Sequence, residues 1–402
     1  MNYFSTIILV ALIFAIIEML FDRHPKAQNQ LFTIAFISIG FLACIKYYFG
    51  PDIQQYVEHY ETIVPINKIL NGSYENNQNF EFGFNLFCSI TNALNISYWG
   101  MTCIISILYL IPIYILFKSL EYHKCLALLA LVLFDYNLLL CELRQCLATS
   151  FFLFAIISYQ KKHTNLSILL FIISIFIHKS TLFAVTILGI ITLLSHIKID
   201  TRAYILLVVV FLFFIIFPLN NIIITILENI TFIPEHILHS IKHHFSKREI
   251  LQAIMPIYLG TVFIIAYYSD FNNKTSKWHW TIWACVAIIV TLFQYYFLLN
   301  RIRSFFIPFV IIYTITICYK SNTKDKIPRQ LFALLFIIFS VFHANSIQIQ
   351  TNSMKSKVNY PSTIFDTIHS DPKTIKQKQI EEAVIFWKKD YKKKKKNNNN
   401  DD

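Results

Sequence analysis

Residues 98–117 read YWGMTCIISILYLIPIYILF, a run without a single Asp, Glu, Lys, Arg or His. An α-helix of about 20 residues spans the roughly 30 Å hydrocarbon core of a bilayer. Helix is also the conformation that such a run must take in lipid, because every backbone N–H and C=O is then satisfied within the segment. Working outward, apolar runs recur at 3–21, 31–49, 124–140, 143–160, 165–178, 180–196, 203–223, 251–268, 279–299, 304–319 and 330–345. They predict an all-α, polytopic transmembrane helical bundle of 11–12 spans. The lower count applies if 165–178 and 180–196 form one bent or re-entrant element.

Composition points the same way. The chain is 56% apolar and 14% charged, with a mean hydropathy of +0.53. Soluble domains carry about a quarter charged residues. With so few, a water-soluble fold of this size would lack polar groups to cover its surface, whereas lipid solvates an apolar exterior. Only 7 Gly are present, and neither G-x-x-x-x-G-K-[ST] nor G-x-G-x-x-G occurs. Nucleotide-binding loops of those kinds are excluded. Eight Cys are present without a C-x-x-C, mostly inside apolar runs. There they act as small hydrophobes, with no disulfide framework or metal site implied. The first run lacks a basic n-region and a small-residue cleavage site, so it reads as a spanning helix instead of a cleaved signal.

The expected organisation is a transmembrane domain over 1–345, with long outer loops at 50–97 and 224–250, followed by a polar, basic, partly disordered tail over 346–402. Much of the net charge of +12 sits in that tail, including Lys392 to Lys396. A basic tail of this kind is a solvated arm near anionic lipid and gives no ground for nucleic-acid binding. The ends of both loops are apolar enough for amphipathic helices lying at the interface.

Lys and Arg collect on the cytoplasmic side of membrane proteins. Loop 50–97 holds Glu58, Glu61, Glu75 and Glu81 against one lysine, Lys68. Placing it outside puts the N-terminus outside and the basic pairs Lys118/Lys124 and Lys161/Lys162 inside. Twelve spans leave the tail outside; an odd count brings it inside.

Ionisable groups at membrane depth are costly and mark functional sites. Those that converge on the outer face in this topology are Asp52, with Tyr56 one turn on; Glu81; Arg144 and Gln145, opening an apolar helix; His178, between two apolar runs; and Arg301 and Arg303, at the end of another. The chemistry is that of an anion site. Guanidinium groups stay charged and grip phosphate bidentately, and Arg144 adds the favourable field of a helix N-terminus. His178 and Asp52 are the candidate proton acceptors. Each residue also has a structural reading. An Arg at a helix end anchors the interface, Asp52 is a good helix N-cap, and Glu81 reads more simply as a solvated loop acid. Glu18 and Asp135, inside apolar runs, are expected to pair within the bundle. His239 and His243 are four apart but lack clean metal spacing.

These pieces, in order, give the chain a family likeness. It resembles the EpsG family of Wzy-type polysaccharide polymerases through Gly50-Pro51-Asp52 with Tyr56 and Tyr60, Phe80-Glu81-Phe82-Gly83-Phe84, Leu143-Arg144-Gln145 with Ala148, Ile177-His178-Lys179-Ser180, Asn300-Arg301-Ile302-Arg303 and Tyr360-Pro361. The position after Gly50 and that of Lys179 depart from the usual pattern. The resemblance implies an enzyme of glycosyltransferase type in the bacterial cytoplasmic (inner) membrane, joining oligosaccharide repeat units carried on undecaprenyl diphosphate at its outer face. Arg144, Arg301 and Arg303 would hold the diphosphate. His178 would act as base and Asp52 would position the acceptor, or the reverse, while Tyr56, Glu81 and Gln145 would position substrate. No cofactor, metal or nucleotide sugar is expected. The expected partners are the lipid-linked oligosaccharides, the bilayer, and a flippase and chain-length regulator of the same pathway. A transporter or flippase of lipid-linked sugars, a glycan ligase and a membrane acyltransferase are the competing readings. The first of these is usually marked by internal repeats, and none is visible.

Overall fold

In a computed structural model, the structure describes residues 3–20, 25–46, 52–74, 80–194 and 296–320, together with Gln377 and Glu381. The expected spans 203–223, 251–268 and 330–345, most of 279–299, loop 224–250 and nearly all of the tail lie outside them. Among the described residues the fold is helical throughout, with no extended strand. The helices are α1 (Tyr3–Leu20), α2 (Pro25–Cys44), α3 (Ile53–Glu61), α4 (Ile66–Leu70), α5 (Phe82–Ala93), α6 (Tyr98–Lys118), α7 (Lys124–Leu140), α8 (Leu143–Gln160), α9 (Thr164–Ile177), α10 (Ser180–Leu194) and α11 (Tyr296–Lys320). Two of them are long and apolar enough to cross a membrane, over Lys26–Cys44 and Tyr98–Lys118. Contacts divide the chain into two units, residues 1–179 with 340–402, and residues 180–339.

In the first unit α7 is the axis. Every residue from Cys125 to Phe134 is buried, as expected of a helix that is hydrophobic all round. α1, α2, α6 and α8 pack against it. The outer helices keep apolar stripes on the surface, such as Ile34, Ile37 and Phe41 on α2 and Ile107, Ile111 and Ile115 on α6. Their spacing of three and four residues places each set on one helix face.

The two acids in the apolar runs pair internally, as expected. Glu18 of α1 accepts the backbone N–H groups of Cys125 (2.9 Å) and Leu126 (3.1 Å), so it caps the N-terminus of α7 from a neighbouring helix. Asp135 departs from helical geometry (φ −131°, ψ 24°) and accepts the Tyr109 hydroxyl at 3.3 Å. Lys46, buried just beyond α2, donates to the Leu139 carbonyl in the last turn of α7. A cation there suits the negative end of the helix dipole.

α8 and α9 form an antiparallel hairpin. Two serines of α9 bind carbonyls of α8: Ser167 to Ala155 (2.8 Å) and Ser174 to Ala148 (2.6 Å). Small hydroxyls at a helix interface let the backbones approach closely. The hairpin turns at Lys161–His163, with Lys162 at φ +65°. The start of α8, with Arg144, therefore lies at the same end as the finish of α9, with His178.

The described parts of loop 50–97 form α3, α4 and α5. α3 is amphipathic as expected: Tyr56, Val57, His59 and Tyr60 face inward, and Gln55, Glu58 and Glu61 face outward. Cross-links hold the loop together. Ser89 donates to the Val64 carbonyl (2.8 Å), Tyr60 to the Ile96 carbonyl (2.6 Å), and Asn85 to both the Tyr74 hydroxyl (2.8 Å) and the Phe80 carbonyl (3.1 Å).

In the second unit α10 packs against α11. Here the sequence reading needs a correction. Arg301 and Arg303 were expected where one span ends and the next begins, but α11 runs unbroken through them. Residues two apart on a helix do not share a face, so the two guanidinium groups leave α11 in different directions.

Candidate functional site

The site grows from the meeting of α5 with the end of α9. A Cβ added to Gly83 would stand 2.8 Å from the Phe176 carbonyl carbon and 2.9 Å from the Ile177 nitrogen. Only glycine allows that approach of backbone to backbone. It brings Glu81, just ahead of α5, against His178, where α9 ends in extended backbone (φ −153°, ψ 123°).

Glu81 occupies the N-cap position of α5 but makes no side-chain capping bond. Its carboxylate points at a guanidinium and an imidazole instead. Oε2 accepts from Arg144 Nη1 at 2.8 Å, and Oε1 lies 3.0 Å from His178 Nδ1. The Lys179 backbone N–H approaches Oε1 at 3.5 Å. Next to a carboxylate, Nδ1 carries the proton, which leaves Nε2 of a neutral imidazole with its lone pair.

Arg144 is held from three sides. Besides Glu81, its Nε donates a long bond to the Tyr56 hydroxyl (3.5 Å), and its guanidinium carbon stands 4.4 Å above the centre of the Phe80 ring. Phe80 in turn stacks on Tyr56, with ring centres 5.4 Å apart. The planar cation thus lies on an aromatic face, an attractive cation–π geometry. Arg144 keeps 22% of its side chain exposed, against 8% for Glu81 and 6% for His178. The network therefore opens to its surroundings through Arg144.

Electrostatics follow from this geometry. Burial works to raise the Glu81 carboxyl, but the hydrogen bond of His178, the charge of that ring when protonated and the charge of Arg144 outweigh it, and the group falls to about 2. Glu81 is therefore an anion at any physiological pH. Burial pushes the Tyr56 hydroxyl up to about 12 against the opposing charge of Arg144, so it stays a neutral donor and acceptor.

Of the residues expected from sequence, Tyr56, Glu81, Arg144 and His178 come together. Glu81 is a buried hub and not the solvated loop acid that was the simpler reading. Asp52 precedes α3 without a side-chain capping bond, and its charge is felt at Tyr56 one turn on. Gln145 is buried in the first turn of α8. Arg301 and Arg303 belong to the second unit.

Two residues were not singled out from sequence. Phe80, the ring beneath Arg144, directly precedes Glu81 in sequence. His59 packs edge-on against Phe80 at 4.7 Å and flat on Phe84 at 6.2 Å. The spacing of Tyr56, His59 and Tyr60 was the available signal, since it puts all three on one face of α3.

The family model for EpsG, the EpsG family, matches residues 29–362, from α2 through every residue of this network. The chain belongs to the EpsG family. That family comprises Wzy-type polymerase-like proteins, so this EpsG-family chain has a polysaccharide polymerase-like role and is a membrane protein. No curated protein and no solved structure matches it. Within the EpsG match, the ion-paired residues come from three segments far apart in sequence, around 81, 144 and 178, that meet at one end of the α8–α9 hairpin.

Proposed function

We propose that this protein is a polytopic polymerase of the bacterial cytoplasmic membrane that joins oligosaccharide repeat units carried on undecaprenyl diphosphate, with its site on the outer face. The observation that carries the reading is the single carboxylate of Glu81 bridging Arg144 and His178. It puts a fixed cation and an oriented imidazole into one network, the two groups that glycosyl transfer from a lipid diphosphate needs. The apolar stripes on α2 and α6 support further spans packed in lipid. The basic turn of the α8–α9 hairpin, at the end away from His178, supports an outward-facing site.

In the proposed step, a hydroxyl oxygen of one lipid-linked unit attacks the anomeric carbon of the other. The new C–O bond forms as the bond from that carbon to the diphosphate oxygen breaks. The electron pair leaves with the lipid diphosphate, and the acceptor proton passes to Nε2 of His178. Arg144 stabilises the charge that develops on the departing oxygen. Glu81 orients the imidazole and stabilises its charged form. Asp52 and Tyr56 position the acceptor beside Arg144, and Gln145 supports the first turn of α8. Arg301 and Arg303 remain candidates for the diphosphate on sequence grounds.

The test is chain growth in cells carrying Arg144→Gln or His178→Gln. The proposal expects the variant to stay in the membrane, polymer to disappear, and single repeat units on the carrier to accumulate outside. Single units trapped on the cytoplasmic side would favour a flippase. Polymer of normal length would refute the site.

A further inference from the structure

We infer that Glu81 is an exchangeable partner of Arg144, displaced by the lipid diphosphate, so that donor binding switches His178 into its proton-accepting role. The inference rests on the proposed reading of Arg144 as the diphosphate ligand and adds a sequence of events to it. One carboxylate serves two side chains, with one oxygen 2.8 Å from Arg144 and the other 3.0 Å from His178. The two pairs are not alike. Arg144 is the exposed end of the network, whereas Glu81 and His178 are almost wholly enclosed. An incoming anion therefore reaches Arg144 first.

The other contacts of Arg144 permit a small movement. The Tyr56 bond is long, and the Phe80 face constrains the guanidinium plane without fixing its edge. A diphosphate offers several acceptor oxygens in the geometry that suits guanidinium. It competes with Glu81 for the same N–H groups and releases the carboxylate as it wins. Of the two side chains, only His178 then keeps the buried, anionic Glu81. A carboxylate shared between two cations favours an imidazolium less than one devoted to it. His178 thus becomes the stronger proton acceptor only when a donor is in place. Without a diphosphate, Arg144 weakens the base.

The sign of the mutational effects tests this. Binding of sugar-free undecaprenyl diphosphate to the full chain in nanodiscs is measured at fixed salt and pH 7 for wild type, Glu81→Gln, His178→Gln, the double variant and Arg144→Gln. Removing the competitor in Glu81→Gln should tighten binding about fivefold, the size expected of a partly exposed ion pair. His178→Gln leaves Glu81 to Arg144 and should weaken binding by a similar factor. In the Glu81→Gln background, His178→Gln should change nothing, because its effect passes through Glu81. Weaker binding in Glu81→Gln, or additive effects in the double variant, overturns the exchange. If Glu81→Gln fails to fold, His178→Gln decides alone, and unchanged or tighter binding there contradicts the inference. Arg144→Gln reports separately: undiminished affinity refutes the parent reading of Arg144.

Discussion

The backbone of Phe176 leaves no room for a side chain at position 83: a Cβ there would lie 2.8 Å from its carbonyl carbon. Gly83 is two residues after Glu81, and Phe176 is two before His178. The closeness of the two chains is what sets the Glu81–His178 contact.

Gly83→Ala is therefore expected to separate α5 from the end of α9. The added methyl meets backbone, which cannot swing away as a side chain would. Overpacking of this kind costs about 1–3 kcal/mol. Misplacing reactive groups by about 1 Å costs on the order of a hundredfold in rate. Gel analysis of surface glycan, normalised to protein in the membrane, should show activity falling further than abundance.

The α8–α9 hairpin predicts a milder outcome. Ser174→Ala removes the hydroxyl that reaches the Ala148 carbonyl at 2.6 Å. Hydrogen bonds between helices in membrane proteins contribute about 0.6 kcal/mol on average. A small fall in melting temperature in detergent is expected, with polymer still made, because the ends of the hairpin stay held by Glu81.

His59 gives a pH dependence. Burial lowers its pKa from the ordinary value of 6.5 to about 4 and outweighs the nearby Asn85 side chain, which favours the charged ring, so the fold favours the neutral ring. The stability it contributes is complete above pH 6.5 and is lost as the pH falls from there toward about 4. At about 1.4 kcal/mol per unit, the loss is at most roughly 3 kcal/mol. Melts of the detergent-solubilised protein at pH 7.5 and 4.5 should differ, and His59→Gln should narrow the difference.

Much of the helical architecture was legible because apolar runs of span length have one solution in lipid. The breaks after Leu140 and Ile177, and the inward face of α3, follow from local pattern. The hub was not legible. Glu81 is 63 residues from Arg144 and 97 from His178, and a long acidic loop gives no sign that α5 will bring it under cover. Gly83 is the residue that permits this, yet one glycine among apolar neighbours does not announce what it will approach. The misreading around Arg301 has a different cause. Polar Asn300, Arg301 and Arg303 interrupt the hydropathy and suggest a connection, while the helical hydrogen bonds of α11 continue through them.

The most direct test of the central claim is chain growth in Arg144→Gln and Arg144→Lys, with carrier-linked intermediates resolved by size and by side of the membrane. A cation that stabilises the departing diphosphate through its planar fork should be worth about a hundredfold or more. Both variants should then leave single repeat units stranded outside, with lysine recovering little. Full-length polymer made by Arg144→Gln at the wild-type rate would contradict the account.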